Sequence, residues 1–161
     1  MDLRRLRAGE WIAGVAGLAL LVSLFLPWYE LAGTDVSAFE AFAIYDVLLL
    51  VLGAMGVALI VVTAYQPSPA VGIALDGLLA LLSLIVLVLL LIRVLNMPGD
   101  LDAAGAERAA FAWVGLLATF GVVVGGFVAM RDERLSKPGR PTDSTGLPIE
   151  AQPEIETISS P

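Results

Sequence analysis

The sequence lacks two residue types that carry much of protein chemistry, since it contains no cysteine and no histidine. Without cysteine, disulfide bonds, thiolate nucleophiles and zinc–thiolate sites are excluded. Without histidine, the chain has neither the usual acid–base side chain near pH 7 nor the commonest metal ligand. Lys137 is the only lysine among nine basic residues. We therefore predict no catalytic residue, no cofactor and no metal site, and a protein that is not an enzyme.

Charged residues are also scarce, at 16% of the 161 residues, whereas 58% are hydrophobic. The mean hydropathy of +0.89 is too high for an ordinary soluble domain of this length. The net charge is −7, and an acidic chain is a poor match for nucleic acid. The composition therefore predicts the lipid bilayer as the main partner and excludes nucleic acid.

Four apolar segments account for this composition. The longest, 71–94, would reach about 34 Å as a helix, which is enough to cross a bilayer core. Two prolines in the short connection before it prevent the preceding helix from continuing, so the chain reverses there. The predicted spans are 10–27, 44–65, 71–94 and 109–130. We predict an all-α fold, with residues 1–130 forming a membrane four-helix bundle of up-down topology.

The first apolar segment follows a basic head that contains Arg4, Arg5 and Arg7, an arrangement that signal peptides share. The segment is long for the apolar region of a signal peptide. It also leads into Pro-Trp-Tyr-Glu rather than into a cleavage site of small residues. We expect an uncleaved first span, with a signal peptide as the alternative.

The distribution of basic residues predicts the orientation of the spans. The N-terminal head, the second loop and the C-terminal tail would lie on the same side of the membrane. Seven of the nine basic residues are on that side, namely Arg4, Arg5, Arg7, Arg131, Arg134, Lys137 and Arg140. The positive-inside rule then places both termini in the cytoplasm and the protein in the plasma membrane. The aromatic residues give the same topology, with Trp11 and Tyr65 at the inner interface. The outer interface would hold Trp28, Tyr29, Tyr45 and Trp113.

Two segments outside the spans have recognisable patterns. Residues 28–43 form the first outer loop, and Ser37-x-x-Glu40 within it matches a capping box. The second helix is therefore expected to begin near Ala38 and to continue to Ala64. Residues 131–161 contain five prolines and no apolar period, which predicts a disordered cytoplasmic tail.

Three ionisable residues within or beside the spans are candidate functional residues, since charges in membrane helices are costly. Asp46 and Arg93 lie near the outer ends of antiparallel spans, so they either form an ion pair or reach separately into headgroups and water. Asp76 lies near the inner end of the third span. It is either a polar packing contact, hydrogen-bonded to Thr63 or paired with Arg7 or Arg131, or a proton or cation site.

The small residues of the fourth span are candidate packing positions. Gly121-x-x-x-Gly125 has the spacing that lets two helix backbones approach closely in lipid. These glycines serve either the packing of the four-helix bundle itself or an interface with a second copy or another membrane protein.

Acidic residues collect on the predicted outer side. They are Glu30, Asp35, Glu40, Asp46, Asp100, Asp102 and Glu107. Such a surface could bind a divalent cation. The ligand spacing of a calcium loop is absent, which favours a solvated surface.

The segments Leu-Phe-Leu-Pro-Trp-Tyr-Glu at 24–30 and Phe-Glu-Ala-Phe-Ala-Ile-Tyr-Asp-Val-Leu-Leu-Leu at 39–50 resemble those of small four-span membrane proteins of high-GC Gram-positive-type bacteria. The resemblance covers roughly residues 10–130 and implies no particular activity. We expect a non-enzymatic structural or accessory subunit of the cell envelope. The alternative is a small transporter or channel component that uses Asp76 or the Asp46–Arg93 pair.

Overall fold

The computed structural model describes residues 6–42, 44–65, 69–97 and 99–134, most of which are helical. Six helices occur in this part of the chain, and four of them are long. They are α1 (Ala8–Ser23), α2 (Ala38–Ala41), α3 (Tyr45–Tyr65), α4 (Pro69–Leu95), α5 (Gly99–Ala103) and α6 (Ala110–Arg134). The predominantly helical fold agrees with the prediction.

A small antiparallel sheet lies at one end of the long helices. Its strands are β1 (Pro27–Leu31), β2 (Thr34–Ser37) and β3 (Glu107–Arg108), in the spatial order β2-β1-β3. Ala32 and Gly33 connect β1 to β2 with φ values of 52° and 79°, and positive φ at both residues is what a tight two-residue hairpin requires. We call the three strands together with α2 and α5 the cap.

Helix α1 lies between α3 and α6, and its contact with α3 is made by glycine backbones. A Cβ atom built on Gly17 would lie 2.7 Å from the carbonyl oxygen of Gly53. A Cβ atom built on Gly56 would lie 2.7 Å from the carbonyl oxygen of Ala13. Both separations are too short for a real side chain, so these positions admit only glycine without a shift. The pairing of earlier residues of α1 with later residues of α3 shows that the two helices are antiparallel.

Helix α6 contacts both α1 and α4. Gly9, at the start of α1, lies against the backbone of Ala129 near the end of α6, which makes these helices antiparallel as well. A Cβ atom on Gly126 would lie 3.3 Å from the backbone of Ala80 in α4. Helix α4 also packs against α3, so each of the four long helices has two others as neighbours.

The long helices expose large apolar side chains on their outer faces. Examples are Val15, Leu18 and Val22 of α1, Val47 and Val61 of α3, Leu78, Leu81, Ile85, Val88 and Ile92 of α4, and Leu117, Phe120 and Phe127 of α6. An apolar surface of this extent is typical of contact with lipid rather than water. Among the described residues, α3, α4 and α6 are each long and apolar enough to cross a membrane.

The predicted first span, 10–27, is helical only to Ser23. The chain then turns, with the amides of Phe25 and Leu26 donating to carbonyls three residues earlier, and Pro27 begins β1. Helix α1 has 16 residues and is about 24 Å long, which is less than the ~30 Å of a bilayer core. Pairing of 27–31 with two other strands is the reason that the helix stops short of the predicted boundary.

Residues 28–42 of the predicted loop are instead folded as part of the cap. The prediction of one helix from Ala38 to Ala64 is also wrong, because α2 ends at Ala41 and α3 begins at Tyr45. Phe42 interrupts the helix with an extended backbone, φ −124° and ψ 123°. Its ring packs edge-on against Trp28 and Tyr29 with centroid separations of 5.4 and 5.9 Å, and this contact explains the break.

Two of the aromatic residues predicted at the outer interface are buried within the protein. Trp28 and Tyr29 are completely buried in the cap. The indole of Trp28 covers Gly115 of α6 and donates a hydrogen bond of 2.7 Å to the carbonyl of Ser23. By contrast, Trp113 is exposed at this end of the helices, and Trp11 and Tyr65 are exposed at the other.

Several predictions concern residues outside the described part of the chain. These residues are the basic side chains Arg4, Arg5, Lys137 and Arg140, the connection at 66–68, and most of the predicted disordered tail, 135–161.

Candidate functional site

Arg93, in the last turn of α4, is held by aromatic rings where the helix meets the cap. The carbon atom of its guanidinium lies 5.6 Å from the ring centroid of Phe42 and 5.5 Å from that of Tyr45. Both distances are within the range of cation–π attraction. Phe42 directly follows α2, and Tyr45 begins α3. The extended backbone at Phe42, which separates the two helices, therefore allows both rings to contact Arg93. We call Arg93, Phe42, Tyr45 and Tyr29 the Arg93 cluster.

Tyr29 of β1 is the buried polar residue of the Arg93 cluster. Burial raises the pKa of its hydroxyl because the phenolate would lose its hydration. The positive charges of Arg93 and Arg108 partly oppose this rise in the pKa. The phenol is therefore neutral at physiological pH and available as a hydrogen-bond donor.

The cluster contains two buried polar atoms that have no hydrogen-bond partner in the described part of the chain. They are the hydroxyl oxygen of Tyr29 and the Nε atom of Arg93. Buried polar groups in proteins are nearly always hydrogen-bonded, because leaving one unpaired costs about 1–3 kcal/mol. These two unpaired atoms are therefore the strongest indication that a hydrogen-bond partner is missing at this site.

Arg108 of β3 has a structural role beside the cluster. Its Nε donates to the carbonyl of Val94 at 2.7 Å, and its Nη2 donates to that of Leu95 at 2.8 Å. These carbonyls belong to the last turn of α4, where a helix leaves its acceptors unpaired and carries partial negative charge. Arg108 thus caps α4 and ties β3 to it.

Asp46 and Arg93 do not form an ion pair with each other in the described structure. The carboxylate of Asp46 instead accepts a 2.7 Å hydrogen bond from the amide of Val47, in the first turn of α3. A negative charge at a helix N-terminus is stabilising. The two residues predicted as a possible pair therefore have separate environments, one at a helix terminus and one against aromatic rings.

Asp76 is 1% exposed and lies on α4, one helical turn before Ala80. Because Ala80 packs on Gly126 and Gly9 packs on Ala129, Asp76 and the first turn of α1 both flank the same end of α6. That first turn carries a second buried carboxylate, Glu10, which is 8% exposed and accepts a hydrogen bond from the amide of Arg7. The sequence reasoning missed Glu10 because it adjoins the basic head.

Gly121 and Gly125, the predicted packing residues of the fourth span, both face α1. A Cβ atom on Gly121 would lie 2.8 Å from the Cβ of Ala16, and one on Gly125 would overlap the backbone of Ala13. The structure therefore uses this glycine motif within the chain, which was the simpler of the two alternatives.

Three of the outer acidic residues share one register line across the cap sheet. Glu30 of β1 is directly opposite Asp35 of β2 on one side and Glu107 of β3 on the other. Residues opposite each other in neighbouring strands project from the same face, and like charges there repel. Glu30 and Glu107 also line an open cleft of about 280 Å³. In the described residues, no group of three or more acidic side chains is arranged to hold a metal ion.

The Arg93 cluster shows what sequence reasoning could and could not find. The cost of a charge in a span predicts Arg93 as a functional residue, and the aromatic pattern predicts Tyr45 at the outer interface. Tyr29 was missed, because nothing in the sequence distinguishes a buried tyrosine from one at the interface. Its only local signal is alternation with the exposed Glu30 in a short β-strand.

Comparison with known proteins yields no relative from which a role could be transferred. No protein-family model, no curated protein and no solved structure matches the chain.

Proposed function

We propose that this chain is a multi-pass integral membrane protein that acts as a non-enzymatic structural or accessory subunit in the cell envelope. In this proposal α1, α3, α4 and α6 form an up-down four-helix bundle in the plasma membrane. Both termini are cytoplasmic and the cap is on the outer side. The apolar helices are compatible with a membrane, and we propose this specific topology for them.

The observation that carries the proposal is the inverted arrangement of residue sizes. Large aliphatic side chains cover the outside of the helices, while glycine and alanine form the contacts of α1 with α3 and α6. In lipid, association of helices depends on close backbone approach rather than on burial of apolar surface. The short α1 gains its neighbours in this way, and its small residues leave no space for a ligand at these contacts.

The polar residues inside the helices also suit a lipid environment. The hydroxyls of Ser83 and Thr119 donate to carbonyls of their own helices, at 3.1 and 2.9 Å. Each hydroxyl is thus satisfied without water and without a partner helix. This supports a structural role for the interior.

The experiment has two parts, insertion and partnership. Membranes from cells that produce the protein are washed with alkaline carbonate, and we expect the chain to remain in the pellet. Extraction in a mild maltoside detergent, followed by affinity purification and mass spectrometry, should then recover a stoichiometric partner or a homo-oligomer. A chain released by carbonate would contradict membrane insertion, and a strictly monomeric chain without a partner would contradict the subunit role.

A small transporter or channel component is the second candidate, and two buried carboxylates at one end of the helices favour it. Asp76 and Glu10 flank the same segment of α6, so a proton or cation path would begin there. Flux into proteoliposomes should then fall in Asp76→Asn, while Asp102→Asn, at an exposed position of α5, serves as the matched control. Equal flux in both variants would remove Asp76 from consideration. The same assay on Asp46→Asn tests the separate role of that residue.

A further inference from the structure

We infer that Arg93 binds a phosphate group at the junction of α4 and the cap. The site consists of the Arg93 guanidinium, the rings of Phe42 and Tyr45 that orient it, and the Tyr29 hydroxyl nearby. A phospholipid headgroup or free phosphate would supply the same anionic oxygens. The inference goes beyond the proposed function, but a lipid source rests on the proposed membrane insertion.

The first argument is the state of the guanidinium donors. Nε of Arg93 is buried and has no acceptor in the described part of the chain. Asp46, the partner predicted from the sequence, accepts a hydrogen bond from the amide of Val47 instead. The described residues leave this donor unfilled, and an anion from outside the chain would supply the acceptor. Arginine binds phosphate through two parallel N–H donors. Nε of Arg93 is itself buried, whereas the residue as a whole is only partly buried.

The second argument is pre-organisation of the side chain. Phe42 and Tyr45 both lie about 5.5 Å from the guanidinium and contact each other at a centroid distance of 6.3 Å. These contacts limit the rotamers of a long side chain, so less entropy is lost when a ligand binds. Neither ring offers a hydrogen-bond acceptor in its face, so the donors stay free for an anion.

The third argument is depth along the helices. Arg93 lies two residues before the end of α4 at Leu95, where the apolar surface gives way to the cap. Trp113 is exposed at the same end, and the exposed ring of Phe25 packs on Phe39 at 5.2 Å. Exposed aromatic residues mark the headgroup level of a bilayer. A cation at this level lies where lipid phosphates are concentrated.

Arg108 provides an internal comparison. It is the other arginine at this end of the chain, yet its Nε and Nη2 are already bonded to the carbonyls of Val94 and Leu95. Two of its five N–H donors are therefore used within the fold. The two arginines carry the same charge, but Nε has an acceptor within the described structure only in Arg108.

The test uses the full chain in maltoside micelles, a detergent without phosphate, with the arginine Nε–H groups observed by ¹⁵N NMR. The Arg93 signal is assigned by its loss in Arg93→Gln. We expect it to shift and saturate with a short-chain phosphatidylglycerol and to stay in place with diacylglycerol, which lacks phosphate. An equal shift with inorganic phosphate at the same concentration would identify free phosphate as the source and keep the chemistry. No shift with either phosphate compound would overturn the inference.

A second measurement addresses lipid retained during purification. Native mass spectrometry should show at least ~10-fold less bound phospholipid in Arg93→Gln than in the unchanged chain, as expected for loss of a charge-assisted contact. Equal retention would contradict the inference. Carbonate washing distinguishes failure of this inference from failure of the proposed function. A chain that stays in the membrane but does not bind phosphate contradicts only the phosphate site.

Discussion

Gly125 of α6 lies directly against the backbone of Ala13 in α1, with no space for a side chain between them. This contact is one of the places where α1 is fixed between its neighbours. It also shows how a helix of only 16 residues is held between α3 and α6.

Gly125→Ala should destabilise the protein by about 1–3 kcal/mol, because the new methyl group forces α1 and α6 apart. The measurement is unfolding by dodecyl sulfate in mixed micelles. Gly77→Ala is the matched control, since a Cβ atom at Gly77 meets nothing within 4 Å. That variant should be neutral or more stable by up to about 1 kcal/mol, because alanine favours the helix. Equal losses in the two variants would contradict the packing.

Trp28→Phe should weaken the attachment of the cap by about 1–3 kcal/mol, since it removes the 2.7 Å hydrogen bond to Ser23 and part of the contact with Gly115. Trp113→Phe removes the same atoms at a position that is 46% exposed and should change stability by less than about 0.5 kcal/mol. Thermal unfolding in detergent compares the two. The same loss in both variants would show that Trp28 is not the buried anchor.

Tyr29→Phe should leave stability unchanged or raise it by about 1 kcal/mol in phosphate-free detergent. The reason is that the buried hydroxyl has no partner among the described residues, so its removal relieves a desolvation cost. Thermal unfolding gives the comparison. A loss above about 1 kcal/mol would reveal a hydrogen bond to the hydroxyl that the described contacts do not include.

The pKa of Glu40 should lie below its ordinary value, because the amide of Ser37 and then its hydroxyl donate to the carboxylate, at 2.8 and 2.9 Å. A lowered pKa means that the contact stabilises α2 at pH values above the unfolded-state pKa. This contribution is lost as the pH falls through the folded-state value. Carbon-13 NMR titration of the Glu40 carboxyl group measures it.

Ser37→Ala should raise the Glu40 pKa part of the way back, because the hydroxyl bond is lost and the amide bond remains. Thr34→Ala removes an exposed hydroxyl in the same strand and should leave that pKa unchanged. An ordinary Glu40 pKa in the unchanged chain would contradict the capping contact.

The topology can be tested with single cysteines, since the chain has none of its own. Thr34→Cys lies in the cap and Arg131→Cys near the opposite end of α6, and both positions are exposed. On intact cells, a membrane-impermeant maleimide should label the first variant and reach the second only after permeabilisation, as the positive-inside rule predicts. Labelling of both from outside would contradict the proposed orientation.

Much of the helical part could be predicted from the sequence. The spans 44–65 and 71–94 match α3 and α4 within two residues at each end, because hydropathy and proline positions are local properties. The capping box also predicted the start of α2 and the contact of Glu40 with the Ser37 amide. It failed to predict that the helix ends four residues later, because the packing of Phe42 on Trp28 and Tyr29 is not a local property.

The sequence alone determined the class of the protein, the positions of its apolar helices and the ends at which its charges lie. These features follow from composition along a single dimension, where about 20 apolar residues are enough to define a potential span. Only the tertiary structure decided that the first predicted loop is folded into the cap, that α1 ends at Ser23, and that Arg93 faces aromatic rings instead of Asp46. Each of these outcomes depends on contacts between distant segments, and four helices, α2 to α5, separate β1 from its partner β3 along the chain.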